Sequence, residues 1–373
     1  MKPKIAILSN IAVWNIRPEI PRNQVHDMPW LYAFHKALQM QDIYEIHWIT
    51  QNKYIPRAIH FEEQGQHFHV LPKARLMIGL YTMYAHDRYV TARELRKIQP
   101  DLVHTWGTED CYGLCGKDFK GKWLHSVQGL LNACVEYAPM GKFFSIHRYY
   151  EPQVLRKANF ITTESQWAAE RVCDTAPRPD IKIWDYAVEE QFFRIQRNLA
   201  PSPTCLYCGS DSQIKNIQTA VAAFSSPELS HVKLLLAGVS PEQHPEYPAN
   251  VIALGKKSRE EVASLLSQAW CLVHPSLADT GPTAAKEALT VGVPLVISSH
   301  CGCKQYVQEG KTGYVVEPRD VQGIIQAVLN ITQSRDKCLE MSDYARNLGQ
   351  NTFSLEAMRN GIMDIYREIL SSV

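Results

Sequence analysis

The chain has 373 residues, 45% hydrophobic and 21% charged, with a formal net charge of +1. That length is too great for one average domain and suits two, and the composition is that of a globular protein able to bury large cores. The near-zero charge removes any general pull toward nucleic acid or anionic lipid, and no stretch approaches the roughly 20 apolar residues of a bilayer span.

The N-terminal MKPKIAILSN has too short an apolar run for a signal peptide, and KIAIL (Lys4 to Leu8) reads as a buried strand. The ten cysteines are dispersed, and Cys205 and Cys271 fall inside apolar strand patterns, where they act as small hydrophobes; the expectation is a reducing, cytoplasmic compartment. After KIAIL comes a polar loop without glycine, so the GxGxxG of a dinucleotide-binding dehydrogenase is missing. Arg17, Arg22, Asn23 and His26 are its polar candidates. PWLYAFHKALQM repeats apolar residues at helical spacing, IYEIHWIT is a second strand, and Gln66 to Leu71 a third. RLMIGLYTMYAHDRYV reads as a packed core helix, with a peripheral membrane-surface patch as the second reading.

A helix, a strand at Leu102 to Thr105, a strand in KWLHSVQGL and another at Phe160 to Thr163 complete a βα alternation. Such alternation makes a parallel sheet with helices on both faces, whose ligands bind at the carboxyl ends of the strands. That places Trp106, Gly107, Thr108, Glu109 and Gln128 at a ligand crevice.

APSPT changes the composition and opens a second unit. TCLYCG is its first strand, SDSQIKN a loop and IQTAVAAF a helix; KLLLAG and NVIALG are strands, REEVASLLSQA a helix, and CLVHPS a further strand. The CxxC of Cys205 and Cys208 lies on a strand, so its cysteines face opposite sides, and no second CxxC stands at zinc-ribbon spacing. With the CxC of Cys301 and Cys303 it gives no metal site, and His67 and His69 in HFH read as surface or core histidines.

His274 to Val296, HPSLADTGPTAAKEALTVGVPLV, is the stretch richest in chemistry. A strand ends at Pro275 and Ser276, LADTG forms a loop, Pro282 opens a helix over AAKEAL, and GVP stops it. Backbone N–H groups from Gly281 to Ala284, with Pro282 and Thr283 between, would point out of the helix start as a seat for phosphate. Glu287, about one turn in, could accept both hydroxyls of a ribose diol.

PSLADTG–x4–KEAL–x2–GVPLV resembles the donor-binding signature of family 4 retaining glycosyltransferases, whose usual pattern is Pro-Ser, Glu-x7-Glu and Ala-x-Gly-x-Pro-Val. PDLVH, RKANFITTES and IKIWDYAVEEQFF are similar to the family's N-terminal half and its interdomain crossing, so the likeness runs over nearly the whole chain. There are departures. Asp279 replaces the first Glu; the Gly-Gly after the first strand is missing; Gln128 stands where many members have a His, and Gln cannot carry a proton at neutral pH. Gly-Arg-x4-Lys-Gly becomes Gly209, Ser210, then Lys215, Asn216, so one of two diphosphate cations is lost.

The resemblance implies an α/β chain of GT-B fold: an acceptor-binding Rossmann-like domain at 1–190, a nucleotide-sugar-binding one at 191–352 facing it across a central cleft, and a C-terminal helix, 353–373, returning to the first. It implies sugar transfer from a nucleotide-diphosphate sugar to a hydroxyl on a saccharide or lipid-linked saccharide acceptor, with retention, no metal and no cofactor besides the co-substrate. Asp279, Lys215 and Gln128 are the implied catalytic residues. Ser210, Lys215, Asn216, Gly255, Lys256, Gly281, Pro282, Thr283 and Glu287 are implied for the donor, and Arg17, His26, Trp106 and Glu109 for the acceptor. The expected location is the cytoplasm or the inner face of its membrane. A degenerate binding protein of the same fold and a sugar-nucleotide epimerase are the rival readings. A phosphorylase would need a pyridoxal lysine environment that the sequence does not display.

Overall fold

A computed structural model describes residues 2–23, 28–139, 141–178, 180–243 and 246–372. The chain divides into two compact units, Met1–Ala187 with Leu355–Val373, and Val188–Ser354.

The N-terminal unit holds β1 (Lys4–Leu8), β2 (Glu45–Asn52), β3 (Ile59–Glu63), β4 (Gln66–Pro72), β5 (Leu102–Trp106), β6 (Lys122–Ser126), β7 (Phe160–Thr163) and β8 (Ile181–Ile183). Their order across the sheet is β3-β4-β2-β1-β5-β6-β7-β8. All pairings are parallel except β3 with β4. That hairpin turns through Gln64 and Gly65, both at positive φ (49° and 73°), the geometry of a two-residue turn that suits strand twist. No familiar Asn-Gly or Asp-Gly marks it, and β3 is a strand the sequence reading did not assign. β1 is flanked by β2 (Ile5 opposite Ile46) and β5 (Ile5 opposite Leu102), and Ile5, Ala6, Ile7 and Leu8 are all fully buried, as the unbroken apolar run KIAIL requires of a strand covered on both faces.

The helix Leu355–Ser371 packs into this unit. Met358, Ile362, Tyr366 and Ile369 enter the core beside Phe34 and Trp184, and Tyr366 Oη lies 2.7 Å from His104 Nδ1. Lys122 Nζ donates to the carbonyls of Ile369 and Leu370 (3.0 Å each), neutralising the negative end of the helix.

The stretch from Arg75 to Val90 differs from the expected core helix. It forms two helices, Leu76–Tyr81 and Ala85–Ile98, broken where Met83 and Tyr84 take positive φ. Only part of it is buried: Leu80 and Tyr84 face inward, whereas Met77, Ile78 and Tyr81 are 52%, 59% and 70% exposed.

The C-terminal unit holds β9 (Thr204–Cys208), β10 (Lys233–Ala237), β11 (Val251–Gly255), β12 (Cys271–His274), β13 (Leu295–Ser298) and β14 (Gly313–Val316). They run in parallel in the order β11-β10-β9-β12-β13-β14. Ile217, Ala220, Ile324 and Val328 cover one face; Leu266, Ala285, Leu289 and Ala345 cover the other. The chain enters this unit after Ala187 and leaves after Ser354, not after 190 and 352, because Val188, Phe192 and Phe353 are buried in its core and Val188 N–H donates to Phe353 O (3.0 Å). Cys205 and Cys271 are fully buried on neighbouring strands with their sulfurs 3.3 Å apart, and all ten cysteines are free thiols.

Candidate functional site

In the C-terminal unit β9 has β10 on one side and β12 on the other. The chain leaves β9 for a helix on one face of the sheet and leaves β12 for a helix on the other. The two loops therefore part at the carboxyl ends of these strands and open a crevice between them. Leu277 N–H donates to Ile214 O (2.8 Å) and Asn216 Nδ2 to Pro275 O (2.9 Å), which ties the loops together behind the crevice. Asn216 sits at φ 54°, a left-handed position Asn tolerates, and its Oδ1 accepts from Thr219 Oγ1 (2.8 Å). The backbone of Asp279 is pinned on the other side by His300 O (3.1 Å) and Gly302 N–H (2.8 Å).

This frame brings Lys215 and Asp279 together, 64 residues apart in the chain: Nζ donates to Oδ2 at 2.5 Å. His274 Nε2 lies 3.2 Å from the same oxygen. Burial opposes ionisation of Asp279, but the Lys215 ammonium and the His274 contact outweigh it and hold the carboxyl well below the usual carboxylate range. His274 is fully enclosed, and its burial lowers its own proton affinity. The resemblance implies Lys215 and Asp279 as two catalytic residues; the structure makes them one ion pair and adds His274, to which the sequence reading gave no role.

The helix Thr283–Val291 starts after Pro282, which stands at the cap and not inside the first turn. Pro282 O accepts from Ala285 N–H (3.0 Å), so the N–H groups of Thr283 and Ala284 lie ahead of the helical hydrogen-bond ladder and face away from it. Glu287 comes one turn later and is 2% exposed. Arg259 holds it, ion-pairing with Glu287 Oε1 and with Glu189 Oε2 (2.8 Å), its guanidinium 4.9 Å from the Phe192 ring centre. Burial raises the Glu287 carboxyl above its ordinary range even with that partner. Sequence reasoning missed Arg259. The signal was there: Ser258 and Glu261 form a reciprocal capping box, so Arg259 opens a helix at the carboxyl end of β11.

The rim is backbone. Gly238, at φ 100°, crosses so close to Gly209 that a Cβ on it would meet Gly209 O at 2.4 Å. Gly238 N–H donates to Gly255 O (2.9 Å), and Gly255 N–H to Val239 O (2.7 Å). Ser210 and Lys256 are exposed beside it, and Ser210 O accepts from Tyr207 Oη (2.6 Å).

In the N-terminal unit the order reverses between β1 and β5, so the loops after these strands part there. Arg17 lies in the first, held by Glu19 (3.0 Å) with its guanidinium 4.9 Å from the Phe61 ring centre. His26 lies outside the described residues. Trp106 is not at the surface of the crevice: it is 3% exposed, packed among Phe34, His104, Trp184 and Tyr186, because the last residue of β5 still points into the aromatic core. Glu109 is half-buried, and its carboxylate lies so near Gly129 that a Cβ there would meet Oε1 at 2.2 Å. Burial, then the neighbouring Glu151 carboxylate, raises Glu109 to about 7. Glu151 is fully buried and accepts from Leu131 N–H (2.7 Å), Asn132 N–H (3.0 Å) and Thr108 Oγ1 (3.0 Å), fixing the loop that carries Gln128. Gln128 is half-buried with Nε2 3.6 Å from Met28 Sδ. Among the described residues, groups of three side chains placed to ligate one metal ion occur on β2, β3 and β4 with the helix beside them. No helix of the described residues is long and apolar enough to cross a membrane.

Comparison with solved structures defines the fold. Sucrose-phosphate synthase from Thermosynechococcus elongatus superposes with a TM-score of 0.78 over 100% of both chains at 18% identity. Anabaena Alr3699/HepE in complex with UDP and glucose does so with a TM-score of 0.68 over 98% of this chain and 100% of the other, at 12% identity. The chain thus has the GT-B fold of two parallel-sheet Rossmann-like domains. Residues 188–348, most of the C-terminal unit, match the family described as Glycosyl transferases group 1. Among curated relatives, Lipopolysaccharide glucosyltransferase WaaG of Escherichia coli (strain K12) is 28% identical over 139 residues. That match spans 35% of this chain and 37% of the relative.

Proposed function

We propose that the protein is a retaining glycosyltransferase that moves a sugar from a nucleotide-diphosphate donor to an acceptor hydroxyl, with no divalent metal between the phosphates. The observation that carries this reading is the Lys215–Asp279 pair at the strand-order reversal, beside the helix start at Thr283. The diphosphate lies against the Thr283 and Ala284 N–H groups and takes Lys215 from Asp279, which releases that carboxylate to the transferred sugar. Glu287, with Arg259 behind it, receives the ribose hydroxyls, and the glycine rim at Gly238 and Gly255 lets the nucleotide approach the backbone. As the acceptor oxygen bonds to the anomeric carbon, the bond to the diphosphate breaks, its electron pair leaves with the phosphate, and the departing phosphate oxygen takes the proton of the acceptor hydroxyl. Lys215 and the helix start meet that charge as it develops. In the N-terminal unit Glu109, raised to about 7, serves the acceptor and Gln128 serves catalysis.

Two further points support the reading. The HepE structure contains UDP and glucose, and WaaG carries the name of a lipopolysaccharide glucosyltransferase, so the donor class proposed is a nucleotide-diphosphate sugar and the acceptor a saccharide or lipid-linked saccharide in glycoconjugate synthesis. A peripheral contact with the membrane bearing such an acceptor fits the exposed Met77, Ile78, Tyr81 and Phe144, with Arg75 and Lys142 exposed near them. The test is a thermal-shift screen over nucleoside diphosphates and their sugars in chelator, followed by turnover with and without acceptor. Release of diphosphate that depends on acceptor supports transfer. Interconversion of the sugar without acceptor would make the protein an epimerase, and binding without turnover a degenerate member.

A further inference from the structure

β2, β4 and β3 form one edge of the N-terminal sheet, and their two faces differ sharply. On one face Trp48, Phe68 and Phe61 stack across the three strands. On the other the register sets His47 opposite His67 and His60 opposite His69. The helix Ala85–Ile98 lies over this second face and contributes Glu94, 6% exposed at its side chain. His60 Nε2 and His69 Nδ1 both lie 3.0 Å from the same oxygen, Glu94 Oε1, and Lys97 Nζ takes the other oxygen at 2.6 Å. The three ligand atoms are all within 4.8 Å of one another. Ligands bonded at about 2.1 Å in tetrahedral array stand about 3.4 Å apart, so small side-chain shifts would admit an ion.

Hydrogen-bond bookkeeping points the same way. Glu45 Oε1 is 2.8 Å from His47 Nε2, His47 Nδ1 is 3.1 Å from His69 Nε2, and His69 Nδ1 is 3.0 Å from Glu94 Oε1. The line has three contacts and each needs one proton, but two neutral imidazoles carry two. A third proton would make an imidazolium of one of these largely enclosed rings, 8% and 12% exposed at their side chains, which costs desolvation. With both imidazoles neutral, one contact in the line lacks its proton.

We propose that His60, His69 and Glu94 bind a divalent transition-metal cation of the zinc type, with water completing its coordination and with His47 and Glu45 as positioning residues. The cation resolves the missing proton. His69 Nδ1 becomes a lone-pair ligand, its Nε2–H donates to His47 Nδ1, and His47 Nε2–H donates to Glu45, the carboxylate–histidine support that metal-bound imidazoles recurrently have. His60, 46% exposed at its side chain, gives the ion a way in. The bound metal would clamp the edge hairpin to the helix that covers it. This site lies apart from the proposed transfer chemistry and does not depend on it.

The experiment titrates the full-length, tag-free, chelator-stripped chain with Co2+ alone and then displaces it with Zn2+. One equivalent of Co2+ with visible ligand-field bands, released by Zn2+, and a melting temperature raised by Zn2+ are expected. His60→Gln, at a partly exposed position that should fold, and Glu94→Gln should each weaken Zn2+ binding at least tenfold. His47→Gln should weaken it by about tenfold to a hundredfold, the range for a lost supporting partner, and His67→Gln should leave it unchanged. No stoichiometric Co2+ uptake by the wild type, unaltered affinity in a folded His60→Gln, or binding abolished by His67→Gln would each overturn the assignment.

Discussion

Lys215→Ala tests two consequences of one contact. Nζ is 2.5 Å from Asp279 Oδ2, with the side chains 29% and 12% exposed. At that distance the gross Coulomb attraction is about 7 kcal/mol at an effective dielectric near 20. Most of it is offset by desolvation of the two charges, and the partial exposure of Lys215 reduces it further. Removing the ammonium nonetheless leaves Asp279 largely enclosed, with His274 at 3.2 Å as its remaining named partner. The expected loss is about 2 kcal/mol, between a lost charge-assisted hydrogen bond and a broken buried pair. For a domain of this size that lowers the melting temperature by about 4–8 °C. Turnover should fall by roughly a hundredfold or more, the scale of a lost donor to developing negative charge, with nucleotide affinity less affected. The assay is a double-mutant cycle of Lys215→Ala and Asp279→Asn, read by urea unfolding and by turnover in chelator. Coupling of at least about 1 kcal/mol in stability, with turnover not restored in the double mutant, is the expected pattern. Additive stabilities would show that the pair does not hold the two loops. Normal turnover of Lys215→Ala, with wild-type activity abolished by chelator, would put a metal where the lysine is proposed to act.

Other consequences can be checked with the same preparations. Glu287→Gln should weaken nucleoside diphosphate binding by about 1.5–3 kcal/mol in calorimetry, whereas Arg259→Ala, which leaves the Glu287 carboxylate buried without its guanidinium, should also cost stability, about 3 kcal/mol in urea titration. Asp279→Asn should lower turnover more than affinity for free nucleotide, measured by comparing kcat with the Kd of the diphosphate. Gly238→Ala forces a Cβ against Gly209 O at a positive φ and should cost about 1–3 kcal/mol, with weaker nucleotide binding in the folded fraction. Glu109, raised to about 7 from an ordinary 4.5, stays protonated in the folded chain where the unfolded chain has already ionised. Its contribution is full below about pH 4.5 and is lost as pH rises through 7. Glu109→Gln should therefore lose less stability than wild type between pH 5 and 8, by about 2 kcal/mol; identical pH slopes would contradict that environment.

The sequence alone determined what rests on local pattern. Unbroken apolar runs such as KIAIL and the helical spacing between them give parallel strands buried on both faces, because each strand must be covered by the helices that connect it to the next. The turn chemistry of HPSLADTGP and the helix after it were legible for the same reason, and so were Asp279 and Glu287, since a carboxylate in a loop or one turn into a helix is a local fact. Whatever depends on which strands are neighbours had to come from the fold. Lys215 meets Asp279 because β9 and β12 are adjacent where the strand order reverses. Arg259 reaches Glu287 from a helix after β11, at the far edge of the sheet. Trp106 turns into the core although it ends a strand, because the aromatic cluster around Phe34 takes its ring. Met77, Ile78 and Tyr81 look like core in a sequence, but two positive-φ residues break their helix and leave them in solvent. His60 and His69, nine residues apart in the chain, become partners only when an antiparallel register, set by Gln64 and Gly65, places them side by side under Glu94. Periodicity fixes what each segment is; register and strand order, set by packing across the whole sheet, fix which charges meet.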